Sequence, residues 1–140
     1  MADEYYDDFP NALLGNPVHN RPDLDTDDIR CWLYDEGADA RDVADQDFAD
    51  ILAGAKIAES TDLGSKTIGV VADGIFDHAN FVFVGVTGAN VESIGYWAFN
   101  GTPAIAPLMW VIDSATGLPV LPNGGDITWA PAVGGVIDVK

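Results

Sequence analysis

At 140 residues with 48% hydrophobic side chains, the chain has room for one domain with a real core and hardly for two. A formal net charge of −17 with only six lysines and arginines excludes binding to a phosphate backbone and disfavours anionic membrane surfaces, so neither nucleic acid nor membrane is an expected partner. No apolar run nears the ~18 residues of a membrane span, and the opening Met1-Ala2-Asp3-Glu4 is acidic where a secretory signal is basic, which predicts a soluble product of a cytosol.

Residues 1–28 show no sustained hydrophobic period and are rich in Asp, Asn and Pro, which predicts an extended arm, with residues 29–140 as a single β-domain. Tyr5, Tyr6, Phe9, Leu13, Leu14 and Val18 interrupt the polar residues, and Pro10, Pro17 and Pro22 favour extended backbone. An arm with so many large apolar side chains needs a surface to lie on, either its own domain or a neighbouring subunit. These six residues are the candidate interface. The acid is concentrated here as well: residues 1–50 hold 15 of the 23 carboxylates against Arg21, Arg30 and Arg41, a net of −12. That charge reads as a solvated face or as a docking surface for a basic partner or cations.

Asp23-Leu24-Asp25-Thr26-Asp27 has the alternating carboxylates of a calcium loop, but Asp28 stands where the turn needs glycine and Tyr34 where a bidentate glutamate belongs. A solvated acidic turn leading into the first strand is the better account, and no metal is expected. In residues 29–34, Ile29, Cys31 and Leu33 share one strand face and Arg30, Trp32 and Tyr34 the other, so neither face is clearly wet. Cys31 is the single cysteine, which excludes an internal disulfide and a cysteine-based zinc cage and predicts a buried, inert thiol. From Asp42 the period changes. Val43, Ala44, Phe48, Ile51 and Leu52 make an apolar stripe, with Asp42 as N-cap and Gly54 as terminator, predicting one substantial helix within residues 42–53.

The remainder is β-patterned, with candidate strands at 55–60, 66–71, 80–86, 91–99, 105–113, 125–129 and 136–139. Turn residues separate them: Asp73-Gly74, Thr87-Gly88-Ala89-Asn90, Asn100-Gly101, Thr116-Gly117 and Asn123-Gly124-Gly125. The expected class is therefore all-β, a β-sandwich or jelly-roll-like domain with one short helix and an extended N-terminal arm. Trp110, in the most continuous apolar strand, is expected in the core. Trp97, Trp110 and Trp129, with Tyr96, Phe81, Phe83 and Phe99, raise the alternative of a sugar platform, but rings in strands are ordinarily core.

No catalytic constellation emerges. The histidines are His19, in the arm, and His78, beside Asp77 after a turn; there is no Gly-x-Ser-x-Gly elbow and no glycine-rich phosphate loop. The chain is expected to be no enzyme and to carry no cofactor.

The run Phe9-Pro10-Asn11-Ala12-Leu13-Leu14-Gly15-Asn16-Pro17-Val18-His19, then Asp28-Ile29-Arg30-Cys31-Trp32-Leu33-Tyr34-Asp35, resembles the start of small structural proteins of tailed bacteriophages, which open with a similar Leu-Leu-Gly-Asn-Pro-Val-His arm. The resemblance continues at Asp45-Gln46-Asp47-Phe48-Ala49-Asp50-Ile51, at Gly74-Ile75-Phe76-Asp77-His78-Ala79-Asn80 and at Val86-Thr87-Gly88-Ala89. It ends with Thr116-Gly117-Leu118-Pro119 and Pro122-Asn123-Gly124-Gly125-Asp126-Ile127. It departs at Asn20, where relatives carry an aromatic, and at residues 53–58, where they have a Gly-Tyr-rich stretch. The resemblance implies a virion component, made in the host cytoplasm, that assembles with other virion proteins and with itself as a homo-oligomer. Two positions follow as alternatives: a capsid decoration or accessory protein on the head, or a tail component such as a tail-tip, baseplate or fibre-associated module. No catalytic residue is implied.

Overall fold

A near-continuous run of apolar side chains is the signature of a strand covered on both sides, and residues 29–34, interrupted only by Arg30, form such a strand. In the computed structural model, which describes residues 4–14, 22–69 and 74–138, this strand lies within a five-stranded antiparallel sheet. The order is β1 (Glu4–Tyr5), β8 (Leu108–Ile112), β7 (Ser93–Ala98), β2 (Ile29–Tyr34), β3 (Lys56–Glu59). A three-stranded sheet runs β10 (Ile137–Asp138), β5 (Ile75–Asp77), β4 (Thr67–Ile68), and β6 (Phe81–Phe83) pairs with β9 (Ile127–Trp129) as a two-stranded ribbon. Every pairing is antiparallel, and the class is all-β. Val70, Val71, Val139 and the Asp73 half of the Asp73-Gly74 turn lie outside the described residues.

The two faces of β2 sort as alternation requires. Ile29, Cys31 and Leu33 enter one hydrophobic core with Ile94, Tyr96 and Trp110; Trp32 and Tyr34 enter a second with Phe48, Trp97 and Val111. A bulge modifies the pattern in β8. Tyr96 opposes Trp110 while Trp97 opposes Leu108, so Met109 is the extra residue, and Met109 and Trp110 both face the first core. Trp110 is fully buried and touches three rings: Tyr96 stacked at 4.9 Å, Phe9 at 5.3 Å and Phe76 edge-on at 5.6 Å. Replacing it with alanine is expected to cost about 3–5 kcal/mol; an unchanged melting temperature in Trp110→Ala would overturn this placement.

Trp97, Tyr96 and Phe83 are likewise buried, as core packing predicted, whereas Phe81, Phe99 and Trp129 are half-buried. Cys31 is inaccessible, and burial pushes its thiol up to about 12, so it stays protonated and inert. The Asp23–Asp27 segment is a turn closed on itself, with its carboxylates exposed and Leu24 buried in the first core: the Asp27 N–H donates to the Asp23 carbonyl and the Asp23 N–H to the Asp27 carboxylate, both at 2.8 Å.

The expected helix within residues 42–53 is not there. That segment is a series of turns ending in one 3-10 turn at Ala53–Ala55. Its carboxylates take the local N–H groups a helix would need: Ala44 N–H donates to Asp42 at 2.9 Å, Gln46 and Asp47 both to Asp50 at 3.0 Å, and Leu52 to Asp39 at 2.6 Å. The backbone also pairs outside itself, with Phe48 N–H on the Ala106 carbonyl and Leu108 N–H on that of Gln46. Phe48 and Ile51 still reach the second core, so the apolar spacing served burial without a helix.

The Asn100-Gly101 signal is met in part. β7 and β8 are hairpin partners, but residues 99–107 form a long connection with a 3-10 turn at Pro103–Ile105. The Asn100 carboxamide organises it, accepting from the Thr102 N–H and donating to the Ile105 carbonyl.

Candidate functional site

The candidate interface was the arm, and its residues build into the chain's own fold. Glu4 and Tyr5 pair with Val111 and Trp110 as the edge strand of the main sheet, and the Tyr6 N–H continues the ladder to the Met109 carbonyl at 3.0 Å. The chain then forms the only α-helix among the described residues, α1 (Asp8–Leu13). Pro10 is tolerated there because the first turn makes no use of its missing N–H, and Asp8 suits the positive end of the dipole. Six residues do not hold a helix in water. Burial of Phe9 and Ala12 against β8 supplies what the length lacks.

Tyr6 and Phe9 are 1% and 2% exposed and point into different cores, Tyr6 with Trp32 and Tyr34, Phe9 against Trp110. Tyr5 stacks on Phe9 at 5.8 Å and, with Leu13, is half-buried against the first core. Leu14, 88% exposed, is the member of the six that the structure leaves in solvent; Val18 lies outside the described residues. Of the two surfaces open to the arm, its own domain or a neighbouring subunit, Glu4–Leu13 lie on their own domain, and over Asp8–Leu13 the backbone is helical rather than extended. Two large aromatic side chains are already occupied at home, and the physical reason is that β8 needs both an edge partner and a cover for Trp110.

Charge fastens the same junction. The Arg41 side chain, 7% exposed, pairs with Asp113 at 3.1 Å and with Glu4 at 3.5 Å, joining the arm, the turn region and the chain just beyond β8. Such a buried pair stabilises mainly by what its disruption costs, since removing one partner leaves a charge in low dielectric. Burial pushes the Tyr6 hydroxyl far above the ordinary phenol range, and Tyr34, Asp45 and Glu36 add to it while Arg41 opposes. Asp45 is raised too, by burial and then by Asp42, Asp50 and Asp39. The acidic turns thus crowd like charges around the arm.

The Asp77–His78 pair does not have acid–base geometry. The Asp77 carboxylate accepts the backbone N–H of His78 at 2.9 Å, while the imidazole points inward to Tyr96. His19 is outside the described residues. Among the described residues no group of three or more His, Cys, Asp or Glu is placed to hold a metal ion, and no helix is long and apolar enough to cross a membrane. In the Asp23–Asp27 turn, a hydrogen bond between side chains lowers Asp23 and raises Asp25.

A cleft lies between the face of the main sheet and β9. It encloses about 130 Å³ and is lined by Leu33, Ile94, Leu118, Val120, Ile127 and Trp129 among others. Ligand pockets usually hold roughly 300–1,000 Å³, so this one has room for a single apolar side chain.

Fold and site together define an acidic all-β protein whose N-terminal segment closes its own core. No model of a known protein family matches the chain, and no curated protein matches it.

Proposed function

We infer that this chain is a non-enzymatic structural protein of a tailed-bacteriophage virion, bound to the head in many copies as a capsid decoration or accessory protein. The observation that carries the reading is the ordered run of motifs, from Phe9-Pro10 to Asp126-Ile127, that resembles small phage structural proteins. Leu14, Val84, Leu121 and Val133 are each at least 69% exposed; scattered singly they are ordinary for a protein surface, and in this reading they are the apolar side chains that contacts repeated by symmetry would bury. The arm enters this reading through Leu14 rather than through Tyr6 and Phe9, which already have a place to be buried.

Gel quantification of the protein against the major capsid protein in purified virions tests the proposal. Hundreds of copies per particle are expected. A few to dozens would move the protein to the tail, as a tail-tip, baseplate or fibre-associated module, and absence from the particle would overturn the virion reading.

A further inference from the structure

Three sheets meet at one chain of hydrogen bonds. His78 follows directly on β5 of the three-stranded sheet, Tyr96 is in the middle of β7 in the main sheet, and Trp129 ends β9 of the ribbon. The His78 Nδ1 lies 2.7 Å from the Ala79 carbonyl oxygen, which can only accept, so Nδ1 carries the proton. Nε2 is then a lone pair, and the Tyr96 hydroxyl, 2.8 Å away, donates to it. The Trp129 indole N–H donates in turn to the Tyr96 oxygen. All the donors in this chain point one way: indole to phenol, phenol to imidazole, imidazole to backbone.

We propose that this chain is an acid-sensitive latch, in which a proton taken up at Nε2 of His78 releases the β6–β9 ribbon from the main sheet. A proton at Nε2 sets two donors against each other. If the Tyr96 hydroxyl turns to accept from both His78 and Trp129, its own hydrogen is left without a partner in a site where Tyr96 is 0% exposed. If it does not turn, the His78 contact opens. Either way the imidazolium charge sits at a ring 5% exposed, packed on Phe76 and Tyr96. Neither arrangement by itself breaks the Trp129–Tyr96 bond; the buried charge is relieved only when water reaches the imidazolium. The ribbon is the part positioned to yield to it, because it has only two strands, its Trp129 ring is half-buried, and it covers the apolar cleft through Ile127 and Trp129.

The titratable groups facing the latch are few. Burial holds the His78 ring below the ordinary histidine value; the Ala79 carbonyl and Asp77 oppose that and Lys66 adds to it. Tyr96 is pushed far up by burial, and Cys31 beside it stays a thiol, so neither takes a charge in the range concerned. With its folded-state value depressed, His78 takes up its proton later in the folded protein than in the unfolded chain as pH falls. Its contribution is complete above about pH 6.5 and is lost below it, until the folded-state value is passed.

The test is amide hydrogen exchange on the full-length protein from pH 7.5 to 5.5, corrected for intrinsic rates, in wild type and His78→Gln. Glutamine can accept from Tyr96 and donate to Ala79 without titrating, so the comparison removes the carboxylates and His19. Relative to the variant, protection of β6 and β9 in the wild type should fall up to about ten-fold per pH unit below about 6.5, while β2, β7 and β8 hold. The Trp129 indole N–H resonance should shift with the His78 titration. Equal loss in wild type and variant would overturn the latch, and so would loss spread evenly over the main sheet. If His78→Gln fails to fold, the wild-type spectrum decides alone: an ordinary His78 midpoint with an unmoved Trp129 resonance would overturn it.

Discussion

A chain lacking residues 1–14 is expected not to fold. The deletion removes the edge partner of β8, the Glu4 contact to Arg41, and the side chains of Tyr6 and Phe9, one from each core. Loss of a large buried aromatic side chain costs roughly 3–5 kcal/mol, so two of them approach a typical total stability of about 5–15 kcal/mol. Neither loss can be repaired by collapse. Trp110 would lose the ring that Phe9 lays over it at 5.3 Å, and Tyr6 leaves a gap beside Trp32 and Tyr34. Near-UV circular dichroism and a proton–nitrogen correlation spectrum of residues 15–140 provide the check. A dispersed, native-like spectrum would mean that the arm is an accessory after all and that its burial contributes little.

Gly95→Ala is also expected to destabilise strongly, although it adds only one methyl group. Gly95 lies directly across from Trp32 in the β2–β7 ladder, and a Cβ there would stand 2.0 Å from the Trp32 ring. The indole lies over the glycine because nothing else fits. It cannot retreat, since Phe48 meets it edge-on at 5.3 Å and Tyr34 leans on it at 5.5 Å. Overpacking of this kind costs about 3 kcal/mol when the neighbours cannot move. Urea unfolding of Gly95→Ala, Trp32→Leu and the double variant would measure it. The double variant should be more stable than Gly95→Ala alone. Additive losses would show that the methyl group and the indole never compete for that space.

Much of the body was legible because its cues are local. Residues 29–34, with apolar side chains on both faces and neither clearly wet, predict a strand, and β2 is that strand, buried on both faces. Thr116-Gly117 and Asn123-Gly124 mark turns, and Gly117 and Gly124 take the positive φ that such turns demand. The acidic turn before β2, the buried thiol and the burial of Trp110 were likewise readable from residue type and spacing.

What sequence by itself determined is thus the all-β class, the strand at residues 29–34 and the positions of many turns, because the sorting of side chains to two strand faces and the backbone freedom of glycine act over a few residues. Tertiary structure decided the rest. Residues 42–53 have a helical spacing of apolar side chains, yet Asp42, Asp50 and Asp39 bind their N–H groups and the strand-like contact with residues 103–108 takes the backbone. The arm reads as extended and peripheral, yet Glu4 pairs with Val111 and Phe9 covers Trp110. The hydrogen-bond chain from Trp129 through Tyr96 to His78 joins three residues that no motif connects. Contacts between segments so far apart along the chain leave no period in either one. They arise only when a sheet edge is left unpaired or a ring uncovered, and the nearest segment able to reach it gains by burying its own apolar side chains there.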